Sequence, residues 1–191
     1  MAGLKTFAIL LVLLASGAST PAPQFKVIAA APLGQFMVFG QITDGFTDEL
    51  RLKISQNQEL KRVYIESPGG LMLEAKRTAQ LLNEHKISVR VAGKCASACV
   101  YLWAATDQRE LTSSARLGLH AGRPKKEAPG PLEIMASRAR QRIADDMLRH
   151  AGFSELLIAK ARRTPNASIF WLTPTELSTA GVKFTLVEPA T

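Results

Sequence analysis

The sequence is short of several residue types, and each shortage closes off a class of function. It holds two cysteines, Cys95 and Cys99, and three histidines, His85, His120 and His150. A zinc site built on the cysteine pair would need two further ligands, and none is grouped with it. A thioredoxin-type pair has two intervening residues, whereas three separate these cysteines. No cofactor or metal is therefore expected. Aromatic residues make up only 6% of the chain. Basic and aromatic residues do not interleave, and no nucleic-acid motif is present, so nucleic acid is not an expected partner. Internal repeats and low-complexity segments are absent. There is one long apolar run, at the N-terminus, so no second membrane-crossing segment is expected.

That run lies in MAGLKTFAILLVLLASGASTPAP. Lys5 supplies a positive start, Phe7 to Ala15 a short apolar stretch, and Ser16 and Ala18 the small residues of a signal-peptidase site. The expectation is an exported protein, cleaved near Ala18; an uncleaved N-terminal membrane anchor is the alternative. Residues 19–35, rich in Pro and Ala, are expected to be a flexible lead-in. Residues 36–191 form one domain, long enough to bury a core. The formal net charge is +8. The basic residues Arg138, Arg140, Arg142, Arg149, Arg162 and Arg163 scatter over expected helix faces, as on a solvated surface. They also leave room for attraction to anionic partners.

Periodicity predicts alternating strands and helices. MVFGQIT (37–43) and RVYIES (62–67) read as strands, and ISVRVAG (87–93) alternates as a half-buried strand does. Phe46, Leu50, Leu52 and Ile54 fall near helical spacing, with Thr47 or Asp44 as cap. Leu71, Leu73, Ala75, Ala79, Leu81 and Leu82 mark a second helix, and SACVYLWAAT a short buried one. ELTSSARLGLH (110–120) ends in a strand. Ile134, Met135, Ala139, Ile143, Met147 and Leu148 share one side of a long helix. SELLIAKARR follows, with Ser154 as N-cap. Next come a helix with cap Thr173, Pro174 in its first turn and Gly181 as its stop, and a closing strand, KFTLV. This order predicts an α/β fold with a mostly parallel sheet, right-handed β-α-β units and helices crowding the C-terminal third.

In such sheets, chemistry gathers where strands end and helices begin. IESPGGLML and VAGKCASACVYL are two such junctions, each aiming helix-start amides at a shared region suited to an anion. Ser97 stands at the second. It is either a cap for the helix or a nucleophile, and a nucleophilic serine needs a base. His85 lies between elements and His150 at a helix C-terminus. His120 ends an apolar strand, where a site would lie, although a structural histidine can sit there too.

These stretches resemble the Clp-protease proteolytic subunit within the wider ClpP/crotonase fold. VYIESPGGLMLEAKRTAQLL matches that family's strand, SPGG turn and helix. VAGKCASACVYLWAA matches its nucleophile turn, SARLGLHAG the strand ending in its catalytic histidine, and HAGFSELLIAKARR to FWLTPTELSTAGV its last helices. The similarity runs over roughly residues 36 to 187. It implies a serine peptidase with Ser97 as nucleophile, His120 as general base, and an oxyanion hole from the amides of Gly70 and Ala98. A polypeptide is the implied substrate. The ring assembly of the family is allowed but not implied.

The departures are specific. Aligned on Gly181, the family's third-position aspartate falls at Ile169; nearby Asn166 and Ser168 are polar and could orient an imidazole. Asp145 and Asp146 are explained by ion pairs on their own helix. An exported chain would have no ATP and no ATP-driven unfoldase as partner. Cys95 and Cys99, four apart, come within disulfide range if the segment is helical, and an exported chain favours the bond. It would brace the turn at Ser97. A non-catalytic binding or scaffold module is the main competing expectation. Enolate chemistry of crotonase relatives would need coenzyme A. The Ser–Lys dyad of signal peptide peptidase A relatives would need a lysine at the site, and Lys94, Lys125 and Lys126 are the nearest.

Overall fold

The computed structural model describes residues 25–30, 34–122 and 130–188. The expected signal segment, 1–18, and part of the expected lead-in lie outside them. Among the described residues the strands are β1 (Phe25–Ala30), β2 (Gln35–Gly40), β3 (Arg62–Glu66), β4 (Ser88–Val91), β5 (Lys94–Ala96), β6 (Arg109–Thr112), β7 (Arg116–Leu119), β8 (Phe170–Leu172) and β9 (Thr185–Val187). The helices are α1 (Phe46–Gln56), α2 (Met72–Glu84), α3 (Ala98–Ala105), α4 (Pro131–His150), α5 (Glu155–Arg163) and α6 (Pro174–Thr179).

The chain is α/β with a mostly parallel sheet. Six strands lie in the order β1-β2-β3-β4-β6-β9. All neighbours are parallel except β1 and β2, which pair antiparallel with Phe25 opposite Gly40. A second, three-stranded sheet has the order β5-β7-β8, parallel between the first two and antiparallel between the last two. One expectation is corrected here. Residues 25–30 are an edge strand, not a flexible lead-in, and Phe25 packs edge-on against Phe46, with ring centroids 4.9 Å apart. The stretch 110–120 ends in a strand, β7, as expected; it also holds the end of β6, in the other sheet, because the chain turns at Ser113–Ser114, where the hydroxyl groups of Thr112 and Ser114 both reach the Ala92 carbonyl.

Helix α3 is apolar all round and is buried from Ala98 to Ala104, lying between α2 and α4. Trp103 at its centre is fully buried, and its indole N–H donates to the Glu110 carbonyl at 3.2 Å. Two polar clusters tie neighbouring elements together. Glu74 of α2 is buried in place of Leu71 and Leu73, which are 42% and 48% exposed. Its carboxylate accepts the Thr47 amide at 3.1 Å and hydroxyl at 2.9 Å, and Arg77 at 2.9 Å. Thus the start of α1 is capped by another helix. The expected caps do not act: the N-cap position is Gly45, in the left-handed region at φ 81°. On the sheet, Glu110 of β6 accepts Arg62 at 2.8 Å and Arg90 at 2.6 Å, and Arg90 donates to the Tyr64 hydroxyl. The stripe expected on α4 buries only its C-terminal half, with Met147 and Leu148 inside and Met135 exposed. The caps at Ser154 and Thr173 form as expected; Thr173 and Glu176 make a full capping box.

Burial pushes the Glu74 and Glu110 carboxyls up, but the hydrogen bonds from Thr47 and Arg77, and from Arg62 and Arg90, outweigh it and hold both below the ordinary value of 4.5. A depressed carboxyl contributes stability that is fully present above the unfolded value and is lost as pH falls through the folded one. Urea midpoints measured from about pH 7 down to about pH 3 should therefore fall below about pH 4.5. The fall should be smaller in the Glu74→Gln, Glu110→Gln double variant; an identical acid slope in that variant would refute the assignment.

Candidate active site

The site is built where β5 hands over to α3. Ser97, half-buried, adopts φ 54° and ψ −122°, a region that costs a residue with a side chain about 1–3 kcal/mol. Its side chain makes no capping bond, so helix capping does not explain it. The backbone around it is held from several sides. The Ser97 N–H donates to the Gly118 carbonyl at 2.8 Å, and the Ser97 carbonyl accepts Val100 N–H at 2.9 Å. The Ser67–Gly70 turn is stitched to β5: Ser67 N–H donates to the Lys94 carbonyl at 3.1 Å, and Ala96 N–H to the Ser67 carbonyl at 2.9 Å. Gly69, at φ 102°, lies directly on the serine. A Cβ there would stand 2.6 Å from the Ser97 Cβ and 2.9 Å from the Ala98 nitrogen. The need for glycine at 69 is thus set by Ser97.

Cys95 and Cys99 are joined by a disulfide, with Cα atoms 5.3 Å apart, and both are fully buried. The bond links the last strand of the turn to the first turn of the helix, with Ser97 midway.

Two amides at this junction are open. Ala98 N–H begins α3 and has no intrahelical partner by its position. Gly69 N–H is taken by the Ser67 hydroxyl at 3.0 Å. Gly70 N–H is not: the parallel bridge between Ile42 and Gly70 uses the Ile42 N–H to the Gly69 carbonyl and the Leu71 N–H to the Ile42 carbonyl, both at 2.8 Å. Gly70 itself, at φ 144°, presses so closely on Ile42 that a Cβ would come 2.0 Å from its carbonyl oxygen.

His120 follows β7 directly and is half-buried. Its Nδ1 lies 2.7 Å from the Ala121 carbonyl oxygen. A carbonyl only accepts, so Nδ1 carries the proton and, in the neutral ring, Nε2 holds the lone pair. The Ala121 carbonyl also accepts Asn166 Nδ2 at 3.3 Å, while the Ala121 N–H donates to the Thr164 carbonyl at 2.9 Å. Asn166 Nδ2 stands 3.4 Å from His120 Nδ1. With Nδ1 protonated, Asn166 Nδ2 does not bond to the ring and acts on it through the Ala121 carbonyl, to which it donates, while the Ser168 amide closes a turn on the Pro165 carbonyl and its side chain is exposed. Ile169, where an acid was looked for, packs its Cγ2 over Gly118. No hydrogen bond joins Ser97 to His120.

The other histidines stay outside. His85 ends α2, and His150 faces Asp107, with Nε2 to Oδ1 at 3.1 Å. Asp146 pairs with Arg149 of its own helix at 2.6 Å, as expected, whereas buried Asp145 is taken by Gln141 and by Arg162 of α5 rather than by an arginine of its own helix, because its side chain faces α5. Lys125 and Lys126 lie outside the described residues. Lys94 points away from a base role, its Nζ standing over the Trp171 ring. Among the described residues there is no cluster of metal-ligating side chains, and no helix is long and apolar enough to cross a membrane. The Ala121 carbonyl and the Gly69 contact had no signature in sequence; the doubled glycine was the only hint of the second.

The fold and site together define an α/β protein with a strained serine at a strand-to-helix turn, two open amides beside it and a histidine at the adjoining strand end. No protein-family model matches the chain, and no curated protein matches it.

Two measurements test this geometry. Relief of strain should make Ser97→Gly neutral or more stable than wild type, by up to about 1 kcal/mol in urea unfolding. A loss greater than that would mean the serine side chain stabilises the turn. Replacing both cysteines by alanine should lower stability by about 2 kcal/mol, the loop-closure value for so short a loop. The same loss should appear in wild type under strong reductant but not in the double variant.

Proposed function

We propose that the chain is an exported, ATP-independent serine hydrolase acting on polypeptides, on a fold of the ClpP/crotonase type. The observation that carries this reading is the conformation of Ser97. A residue with a side chain is held in a glycine-like backbone region, at a helix start, without acting as a cap. Strain of this sort persists where the surroundings over-determine it, and it is common at active sites. The site lacks a bound cofactor requirement in this mechanism, since every group it uses belongs to the chain.

In the reaction, His120 Nε2 accepts the Ser97 proton as Oγ attacks a peptide carbonyl carbon. The tetrahedral oxyanion is held by the Gly70 and Ala98 amides. Collapse breaks the C–N bond, and His120 returns the proton to the leaving amine. Water then attacks the acyl-enzyme by the same route, releasing the acid and restoring Ser97. The Ala121 carbonyl sets the tautomer that an aspartate sets in trypsin-like enzymes, where the wrong tautomer costs about 10⁴ in rate. A neutral carbonyl stabilises the imidazolium less than a carboxylate does, so a modest rate is expected. The signal-like N-terminus supports action outside the cytosol, where the buried disulfide is stable. Self-association into a homo-oligomer is compatible with the reading and not required by it.

A second reading, a non-catalytic binding module, is favoured by the relay: no hydrogen bond joins Ser97 to His120, and Nδ1 of His120 meets a neutral carbonyl rather than a carboxylate. The two are separated by labelling the oxidised protein with a fluorophosphonate. The hydrolase reading expects labelling that vanishes in Ser97→Ala and drops at least about 10²-fold in rate in His120→Ala. Wild-type protein that resists the probe while folded and oxidised would establish the binding module instead.

A further inference from the structure

Beside the serine lies a surface that the chemistry above does not use. The small sheet pairs Lys94 with Arg116, Ala96 with Gly118, and Gly118 with Trp171. Side chains alternate along a strand, so Arg116, Gly118 and His120 face one way. Gly118 has no side chain on that face, and the space is filled by β8. A Cβ there would come 2.8 Å from the Trp171 ring and 2.6 Å from Ile169. The six-membered ring of the indole thus lies against β7 at Gly118, yet Trp171 keeps 37% of its surface open. Lys94 reaches over from β5, and its Nζ stands 5.9 Å from the ring centroid.

The ammonium has no carboxylate partner among the described residues. Glu66, at the end of β3, lies against Gly93 and forms no ion pair with Lys94. The Arg116 guanidinium is turned back onto the carbonyls of Ser113, Ser114 and Ala115. The exposed face therefore presents the Lys94 ammonium beside an aromatic ring, with the Arg116 charge on the neighbouring strand acting on Glu176, and β5 runs from Lys94 towards Ser97.

We propose that Lys94 and Trp171 form a substrate subsite that selects an acidic side chain about three residues from the bond presented to Ser97. This rests on the polypeptide-hydrolase reading. The spacing follows from strand geometry. Lys94 precedes Ser97 by three residues on β5, about 10 Å at the strand rise, and an extended peptide advances at the same rate. The indole supplies apolar contact to the peptide stem, and the ammonium receives the carboxylate.

Binding tests the subsite without requiring turnover. Blocked peptides carrying Glu, Ala or Lys at the third residue on either side of a central amide are titrated into the Ser97→Ala protein, read by indole emission. Trp103 is fully buried, so Trp171 is the responsive fluorophore, and Trp171→Phe is the control. The Glu peptide should bind about fivefold tighter than the Ala peptide at low salt, the upper range for an exposed charge pair. The preference should shrink with added salt and reverse in Lys94→Glu. Equal affinities, or a Glu preference that survives in Lys94→Glu, would overturn the subsite. Selective binding by a protein that neither cleaves peptides nor reacts with a fluorophosphonate would keep the subsite and remove the hydrolase reading. Labelling without charge preference would do the reverse.

Discussion

The structure around the junction of β5 and α3 depends on holding Ser97 at a positive φ. A side chain in that region collides with its own backbone, so the conformation survives only if neighbours exclude the alternatives. Three of them do. The Gly118 carbonyl fixes the serine amide, the Ser67–Gly70 turn closes over its Cβ, and the disulfide ties the residues two before and two after it. None is local in sequence except the disulfide. The sheet register that brings β3, β5 and β7 side by side is therefore what stores the strain.

The glycines show the same dependence in reverse. Another residue occupies the place of a Cβ at both Gly69 and Gly118: Ser97 and its neighbours in one case, where the positive φ of 102° also demands glycine, and the Trp171 ring and Ile169 in the other. Close approach at both positions lets two turns and a third strand converge on one serine. The buried α3 beneath them, apolar on every side, supplies a rigid floor. Glu74 joins α1 to α2, and Glu110 joins β3 and β4 to β6, through charge-assisted bonds.

His120 illustrates how a relay can be oriented without an acid. The strand ends, the chain turns back, and the carbonyl of the very next residue meets Nδ1. That carbonyl is held by Asn166 and by the link from Ala121 to the end of α5. The arrangement favours the same tautomer that a carboxylate would, but it brings no negative charge and a weaker bond. Ile169 then stands free to pack on Gly118, and the surface next to the serine becomes aromatic and cationic.

By itself the sequence determined the alternation of strands and helices, the caps at Ser154 and Thr173, the helix opening at Ala98, and the nearness of Cys95 to Cys99. These follow from periodicity and turn chemistry within a few residues, which act before any tertiary contact exists. It also singled out Ser97, His120, Gly70, Ala98 and Asn166, as residues at strand ends or through family resemblance. The tertiary structure alone decided that residues 25–30 pair as an edge strand, that 110–120 divides between two sheets, and that Glu74 rather than Leu71 or Leu73 turns inward. It likewise chose the Ala121 carbonyl over Ser168 to hold the imidazole, and set Lys94 over Trp171. Apart from the Ala121 carbonyl, which is adjacent to His120 but is held in place by Asn166 and Thr164, these are choices among partners far apart in the chain, made by sheet register and by the need to pair buried polar groups, and neither leaves a periodic trace in sequence.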